Sequence, residues 1–257
     1  MSESSNRIRT ALITGSARRI GEAIARDMAA AGWNVAVHYN RSADSAARLV
    51  NELRSRGVHA TAVQCDLADG AAVCGLIAKC SRQLGPLTCL INNASLFEFD
   101  DPVHFDPVTW DRHSAINVRA PLILAREFAA QVPARTVGCV VNILDQKVFN
   151  LNPDFFSYTL SKVAMEGATR MLAMSLAPAV RVCAVAPGIT LVSGAQTTEG
   201  FERAHAHTPL GHSSDVDDIV DAVRYLVEAK SLTGHTLVVD GGQHLWPLKR
   251  DVQFEVK

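Results

Sequence analysis

The chain carries almost no net charge. Its 25 lysines and arginines nearly cancel 26 acidic residues, leaving −1 over 257 residues. That balance makes no electrostatic case for a nucleic acid or an anionic membrane as partner. No apolar run reaches bilayer-spanning length, and the polar start, 1–6, lacks signal-peptide character and reads as disordered. Six cysteines occur in apolar stretches, none in a Cys-x-x-Cys pattern. The expectation is buried free thiols in a reducing compartment, hence the cytoplasm. Nine histidines show no metal-ligand spacing, so no metal site is expected. His205 and His207 read either as surface residues or as contacts from a ligand-covering loop. With no linker, repeat or low-complexity segment, residues 1–257 are expected to form one domain.

What is present is an alternation. The sequence is 48% hydrophobic and 20% charged, enough for a sizeable core. Short β-branched runs at 9–14, 34–39, 60–66, 88–92, 137–144, 180–186 and 236–239 predict strands. Helical spacing fills 20–31, 42–56, 71–84, 111–132, 157–176 and 216–229. Strands alternating with helices imply right-handed βαβ units and a parallel sheet covered on both faces. The predicted fold class is therefore α/β, a single doubly wound domain of about seven parallel strands with helices on both faces. Residues 190–214 show no clear periodicity and are expected to form a substrate-covering loop.

The first strand runs into Thr14-Gly15-Ser16-Ala17-Arg18-Arg19-Ile20-Gly21, and a helix follows at once. Gly15 suits a tight turn, Gly21 a close helix–sheet contact, and the free N–H groups of the helix start suit a pyrophosphate. This is the phosphate-binding end of a Rossmann-type dinucleotide site. Arg19 replaces the middle glycine of the usual pattern, which suggests a guanidinium over the phosphates. A second absence matters here: no acid lies between Asp27 and Asp44. A site selective for NAD would place a carboxylate near that strand end for the ribose hydroxyls. Tyr39-Asn40-Arg41-Ser42 instead offers a guanidinium fork and a hydroxyl for a 2′-phosphate, which points to NADPH/NADP. Asp66-Leu67 can meet the adenine, although Asp66 is equally a helix cap. Asn93-Ala94-Ser95 and Pro187-Gly188 end later strands and suit a backbone that lines the cofactor. Thr190 can contact phosphate or substrate.

Tyr158 and Lys162 stand at i and i+4 of a predicted helix and share one face. A nearby ammonium is expected to lower the tyrosine's ordinary pKa of about 10 and make it an acid–base group beside a nicotinamide. Asp145 lies thirteen residues before Tyr158, where a serine is more usual. A carboxyl there suits a ring with nitrogens to grip or protonate, and shielding from water should raise its pKa. Asn117 falls mid-helix, where asparagine is mildly unfavourable; it is either a water-holding group near Lys162 or a satisfied core amide.

Across nearly its whole length the chain resembles the short-chain dehydrogenases/reductases. The match rests on the 14–21 turn, Asn92-Asn93-Ala94, Asn117, Tyr158 with Lys162, Pro187-Gly188 and Asp240-Gly241-Gly242. Within that family, Arg19, the 38–42 segment, the 93–97 segment and Asp145 are similar to pteridine reductases, including bacterial dihydromonapterin reductases. The resemblance implies NADPH-dependent reduction of a pterin or folate, with Asp145 and Tyr158 passing a proton and Lys162 holding the ribose. It implies that Arg19, Ser95, Asp145 and Tyr158 surround the pterin and that Phe97 stacks on it opposite the nicotinamide. It also implies a homotetramer built on the helices at 111–132 and 157–176. Gln146 and Lys147 match no pattern, the 190–214 loop carries no residue over, and the tail, 246–257, is open to reaching a neighbouring subunit. Two other readings stand beside this one: a ketone reductase of the same family, and a non-catalytic NADP-binding regulator.

Overall fold

A computed structural model describes residues 9–192 and 196–255. The expected disorder of 1–6 falls outside these residues, as do 193–195 of the expected loop. Seven strands form one parallel sheet: β1 (Thr10–Ile13), β2 (Asn34–Tyr39), β3 (Ala60–Gln64), β4 (Cys89–Asn92), β5 (Gly138–Ile143), β6 (Val180–Pro187) and β7 (Thr236–Val239). Their order is β3-β2-β1-β4-β5-β6-β7. The winding reverses between β1 and β4, and in open α/β sheets the crevice beyond the carboxyl ends at such a reversal is where ligands bind.

Alternation along each strand builds the two faces. Ala11, Ile13, Val35, Val37, Ile91 and Val141 meet α1 (Arg19–Ala30), α2 (Ala43–Ser55) and α8 (Val216–Glu228) on one side. Leu12, Ala36, Leu90, Val140 and Val182 meet α3 (Gly70–Leu84), α5 (Ala120–Gln131) and α6 (Phe156–Leu176) on the other. Each buried leucine, valine or phenylalanine contributes roughly 1.5–3 kcal/mol. Five of the six cysteines are buried as expected, but Cys74 lies exposed on α3.

The expected helix at 111–132 is not continuous. It begins earlier as α4 (Pro107–His113), opened by Asp106, whose carboxylate accepts from Thr109 N–H, and by a proline in its first turn. A π-helical stretch, Ser114–Arg119, then separates it from α5. The 190–214 segment also departs from expectation. It contains α7 (Thr198–Ala206), capped by the Thr197 hydroxyl accepting from Gly200 N–H, with Ala204 as its buried anchor. The tail adds α9 (Val252–Glu255).

Helix α8 opens with a reciprocal cap: Asp215 accepts from Asp218 N–H and Asp218 from Asp215 N–H, both at 2.9 Å. Asp215→Ala should cost about 1 kcal/mol, read as a lower urea midpoint with unchanged slope. An unchanged midpoint would show that the cap contributes nothing. On α6, Leu160, Val163, Met171 and Met174 stand exposed. No helix among the described residues is long and apolar enough to cross a membrane.

Candidate active site

The cofactor end grows from the turn after β1. Gly15 has φ +62°, and a Cβ there would come within 3.0 Å of Ala94 Cα. A Cβ on Gly21 would meet Asn93 Nδ2 at 2.5 Å and Gly15 O at 2.6 Å. Both positions therefore require glycine for space, and the first also for its left-handed backbone. Asn93, expected to line the cofactor, ties this turn to β4: its amide donates to Thr14 O at 2.8 Å, while its own N–H donates to Thr14 Oγ1 at 2.9 Å.

A cleft of about 390 Å³ opens beside the turn. It brings together Gly15, Tyr39, Asn40, Arg41, Ser42, Asp66, Leu67, Ala94 and Ser95, the ends of β1 to β4. These are the positions chosen from sequence for the adenosine half of a dinucleotide, and the glycine cradle leaves room for its phosphates. Asp66 accepts from Ala68 N–H at 2.9 Å in the turn before α3, but the helix itself is capped by Asp69, so the reading of Asp66 as a helix cap is corrected. Arg18 lines the cleft as well. Arg19 does not: it adopts φ +57°, and its guanidinium donates to Val192 O at 2.9 Å, binding the turn to the segment after β6. The expected place of Arg19 over the phosphates stays a proposal; in this arrangement its guanidinium is engaged by the Val192 carbonyl. Ile20, next in the turn, packs half-buried against the core.

Sequence reasoning missed His38 as a site residue. It is buried, accepts from Gly15 N–H at Nδ1 (3.0 Å) and donates from Nε2 to Cys65 O (3.0 Å). Accepting at one nitrogen while donating at the other requires the neutral ring, and burial lowers its pKa to about 4. One imidazole thus links the glycine turn, β2 and β3. A buried histidine in a strand gives no periodicity signal of its own.

The chemical end lies beyond β5. Tyr158 Oη donates to Asp145 Oδ2 at 2.7 Å. Lys162 sits one turn along α6, donates to Ile143 O at 2.8 Å, and holds its Nζ 5.5 Å from the Tyr158 ring centre. Tyr158 and Lys162 are buried, and Asp145 is half-buried. Burial raises the Asp145 carboxyl above the usual carboxylate range, against the pull of Lys147 N–H and Tyr158. Burial also lowers Lys162 to about 8. The expectation for Tyr158 is reversed. Its pKa is pushed well above the ordinary value by burial and by the adjacent Asp145 charge. The carboxylate is in hydrogen-bond contact with the phenol, whereas the ammonium donates to a backbone carbonyl and has no hydrogen bond to the phenol. Tyr158 is therefore held protonated, as a donor.

The side chain of Asn117 is satisfied within the fold, while its expected water-holding role near Lys162 stays a proposal. Its amide donates to Leu96 O (2.9 Å) and Ser161 Oγ (3.0 Å), and its carbonyl accepts from Leu96 N–H (2.8 Å). It positions the segment that carries Ser95 and Phe97. Phe97 stacks on Phe155 at 4.3 Å and 16° and meets Tyr158 edge-on at 4.7 Å. One of its faces is thus taken by Phe155, leaving a single face for a flat ligand ring. Ser95 is exposed at the cleft. Gly188, after Pro187, donates to Val239 O at 2.9 Å. Thr190 is buried, its hydroxyl engaged with Ser214 Oγ at 2.9 Å and Gly188 O at 3.2 Å, so it is not free to hold a ligand in this arrangement.

Lys147 and the tail were also missed. Lys147 is 3% exposed and pairs with Asp251 at 2.8 Å. Within the described residues, Arg250 and Asp251 of the tail contact their own chain at Asp154 and Lys147. Among the described residues, no group of histidines, cysteines and acids could hold a metal.

Residues 9–202 match the short chain dehydrogenase family. The 3-oxoacyl-(acyl-carrier-protein) reductase FabG of Staphylococcus aureus is 30% identical over 242 residues, 92% of this chain and 98% of that protein. The crystal structure of FolM alternative dihydrofolate reductase 1 from Brucella canis, complexed with NADP, is 45% identical with a TM-score of 0.88, covering 93% of this chain and 95% of its own. Its Brucella suis counterpart, also with NADP, is 44% identical with a TM-score of 0.87, covering 93% and 96%.

Proposed function

Because this chain belongs to the short-chain dehydrogenase family, we propose that it is an NADPH-dependent reductase of a pterin ring, of the dihydrofolate, dihydrobiopterin or dihydromonapterin class. The observation that carries this reading is the 2.7 Å hydrogen bond from Tyr158 Oη to Asp145. A ketone needs one hydroxyl donor. A dihydropterin has a C=N bond to protonate and a ring edge rich in nitrogen, for which a buried carboxyl beside the donor is suited. Similarity to the two NADP-bound FolM structures supports the same reading.

Bound NADPH supplies the hydride to C6 of the ring. The adenosine end would rest in the cleft of Gly15, Asn40, Arg41 and Asp66, with Arg41 on the 2′-phosphate. Lys162 would hold the nicotinamide ribose. Tyr158 donates its proton to N5, and Asp145, hydrogen-bonded to Tyr158 Oη and with its pKa raised by burial, is placed to relay a replacement proton to it. Phe97 offers its remaining face to the pterin. The residues align donor and acceptor and exclude water from between them.

The test is a side-by-side assay of NADPH oxidation with dihydrofolate, dihydrobiopterin, dihydromonapterin and a ketone panel that includes a 3-oxoacyl thioester. Pterin turnover with little ketone turnover is expected. The reverse would move the assignment to ketone reduction, the reading favoured by the 30% identity to FabG. No turnover with either would leave the non-catalytic regulator.

The pH dependence follows from Lys162, which carries its proton below about 8 and loses it above. If the ammonium holds the ribose, kcat/KM should fall as pH rises through that value. A profile flat to well above it would remove Lys162's charge from the mechanism.

A further inference from the structure

Asp145 is held at both oxygens. Oδ2 accepts from Tyr158, and Oδ1 accepts from Lys147 N–H at 2.9 Å. The Lys147 side chain runs into the protein, where its ammonium meets Asn152 Oδ1 at 2.9 Å, Asp154 O at 3.1 Å and Asp251 Oδ2 at 2.8 Å. Asp251 is the one carboxylate in that set, and it comes from the tail, 104 residues away.

The neighbouring tail residue grips the far end of the same segment. Arg250 donates to Asp154 from Nε at 2.8 and 3.0 Å and from Nη2 at 2.8 Å, and Asp251 N–H adds a bond to Asp154 Oδ2 at 2.7 Å. Asp154 precedes Phe155, which sits at φ +53°, a backbone conformation that a phenylalanine holds only when its surroundings enforce it. Phe155 is the ring beneath Phe97. Phe254, also from the tail, lies parallel to Phe155 at 6.2 Å and meets Phe99 edge-on at 5.6 Å.

We infer that Lys147 and Asp251 are positioning residues for the substrate end of the site, and that the C-terminal tail clamps the 145–155 segment so that Asp145 faces Tyr158 and Phe155 backs Phe97. Neither residue touches the reacting atoms. Lys147 acts through its backbone bond to Asp145, and Asp251 acts through Lys147. An ammonium this deeply buried stays in place only while its carboxylate partner is present, so losing Asp251 releases the segment rather than merely weakening it. The adenosine cleft is built from β1 to β4 and shares none of these contacts, so the effect is confined to substrate. The inference rests on the proposed reductase reading only where turnover is the readout.

Three variants of the full chain test it, each with its urea midpoint measured alongside: Asp251→Leu, Asp251→Glu, and Arg250→Leu, which removes a half-exposed side chain and leaves the buried Asp154 carboxylate the Asp251 N–H. Asp251→Leu is expected to lower kcat/KM for the pterin by about ten- to a hundred-fold, the scale of a reacting group misplaced by an ångström. The Kd for NADPH stays within about two-fold, because the glycine cradle is untouched. Asp251→Glu recovers most of the loss, and Arg250→Leu shows a smaller loss in the same parameter. Hydrogen exchange, which needs no turnover, should show faster exchange confined to 145–156. Wild-type kcat/KM and exchange in Asp251→Leu would overturn the inference. So would equal losses in pterin and NADPH parameters with exchange raised throughout, since the tail would then serve only stability. If the unsubstituted protein turns over no pterin, the reductase reading fails, and exchange alone decides whether the clamp exists.

Discussion

Tyr158→Phe should lower kcat for pterin reduction by about 10²–10⁴-fold, the usual range for loss of a positioned general acid. NADPH binding should change little. The substitution removes one oxygen and keeps the ring that meets Phe97 edge-on, so packing survives. Asp145→Ala should give a loss of similar order, because Tyr158 then keeps its proton but has no partner from which to regain it. The pair acts as a unit, so the double variant should be little worse than either single one. Pre-steady-state hydride transfer and fluorescence titration of NADPH separate the two effects. Full activity in Asp145→Ala would end the relay, and additive losses would show that the two residues act independently.

Arg41→Ala should raise the KM for NADPH by roughly ten- to a hundred-fold, the worth of a charged hydrogen-bonded contact of about 1.5–3 kcal/mol. The KM for NADH should barely move, since NADH has no 2′-phosphate. Arg18 lines the same cleft and limits the loss. Adding Arg18→Ala should therefore deepen the preference change further. Steady-state kinetics with both cofactors at fixed pterin gives the ratio directly. An unchanged NADPH/NADH ratio in the double variant would remove the 2′-phosphate assignment.

The seven strands and most helices were legible because each depends on its own residues. β-branched runs such as 34–39 mark strands wherever they are placed, and the end of β2 needs only Arg41 and a missing acid to suggest a 2′-phosphate. Tyr158 and Lys162 were legible for the same reason, since a helix turn is local. The π-helical break at Ser114–Arg119 was not, because a π turn and an α turn share nearly the same local spacing; within it Asn117 bonds Leu96 and Ser161. α7 was hidden by having only Ala204 buried along its length.

Asp145 illustrates the division most clearly. Its presence thirteen residues before Tyr158 is written in the sequence, and so is the chemistry that a carboxyl adds. Whether it meets Tyr158, and how its surroundings move the proton, were decided by packing. The sequence suggested that Lys162 would depress the tyrosine's pKa; the fold gives the ammonium to Ile143 O and the carboxylate to the phenol. The sequence by itself determined the α/β class, the glycine turn, the acid-free end of β2 and the placing of Tyr158 and Lys162 on one helix face. Only the tertiary structure decided that Arg19 meets Val192 O, what His38 staples, and that Lys147 pairs with Asp251 of the tail. The physical reason is range: propensity and helical spacing act over a few residues, whereas hydrogen bonding and desolvation depend on neighbours that only the folded chain brings together.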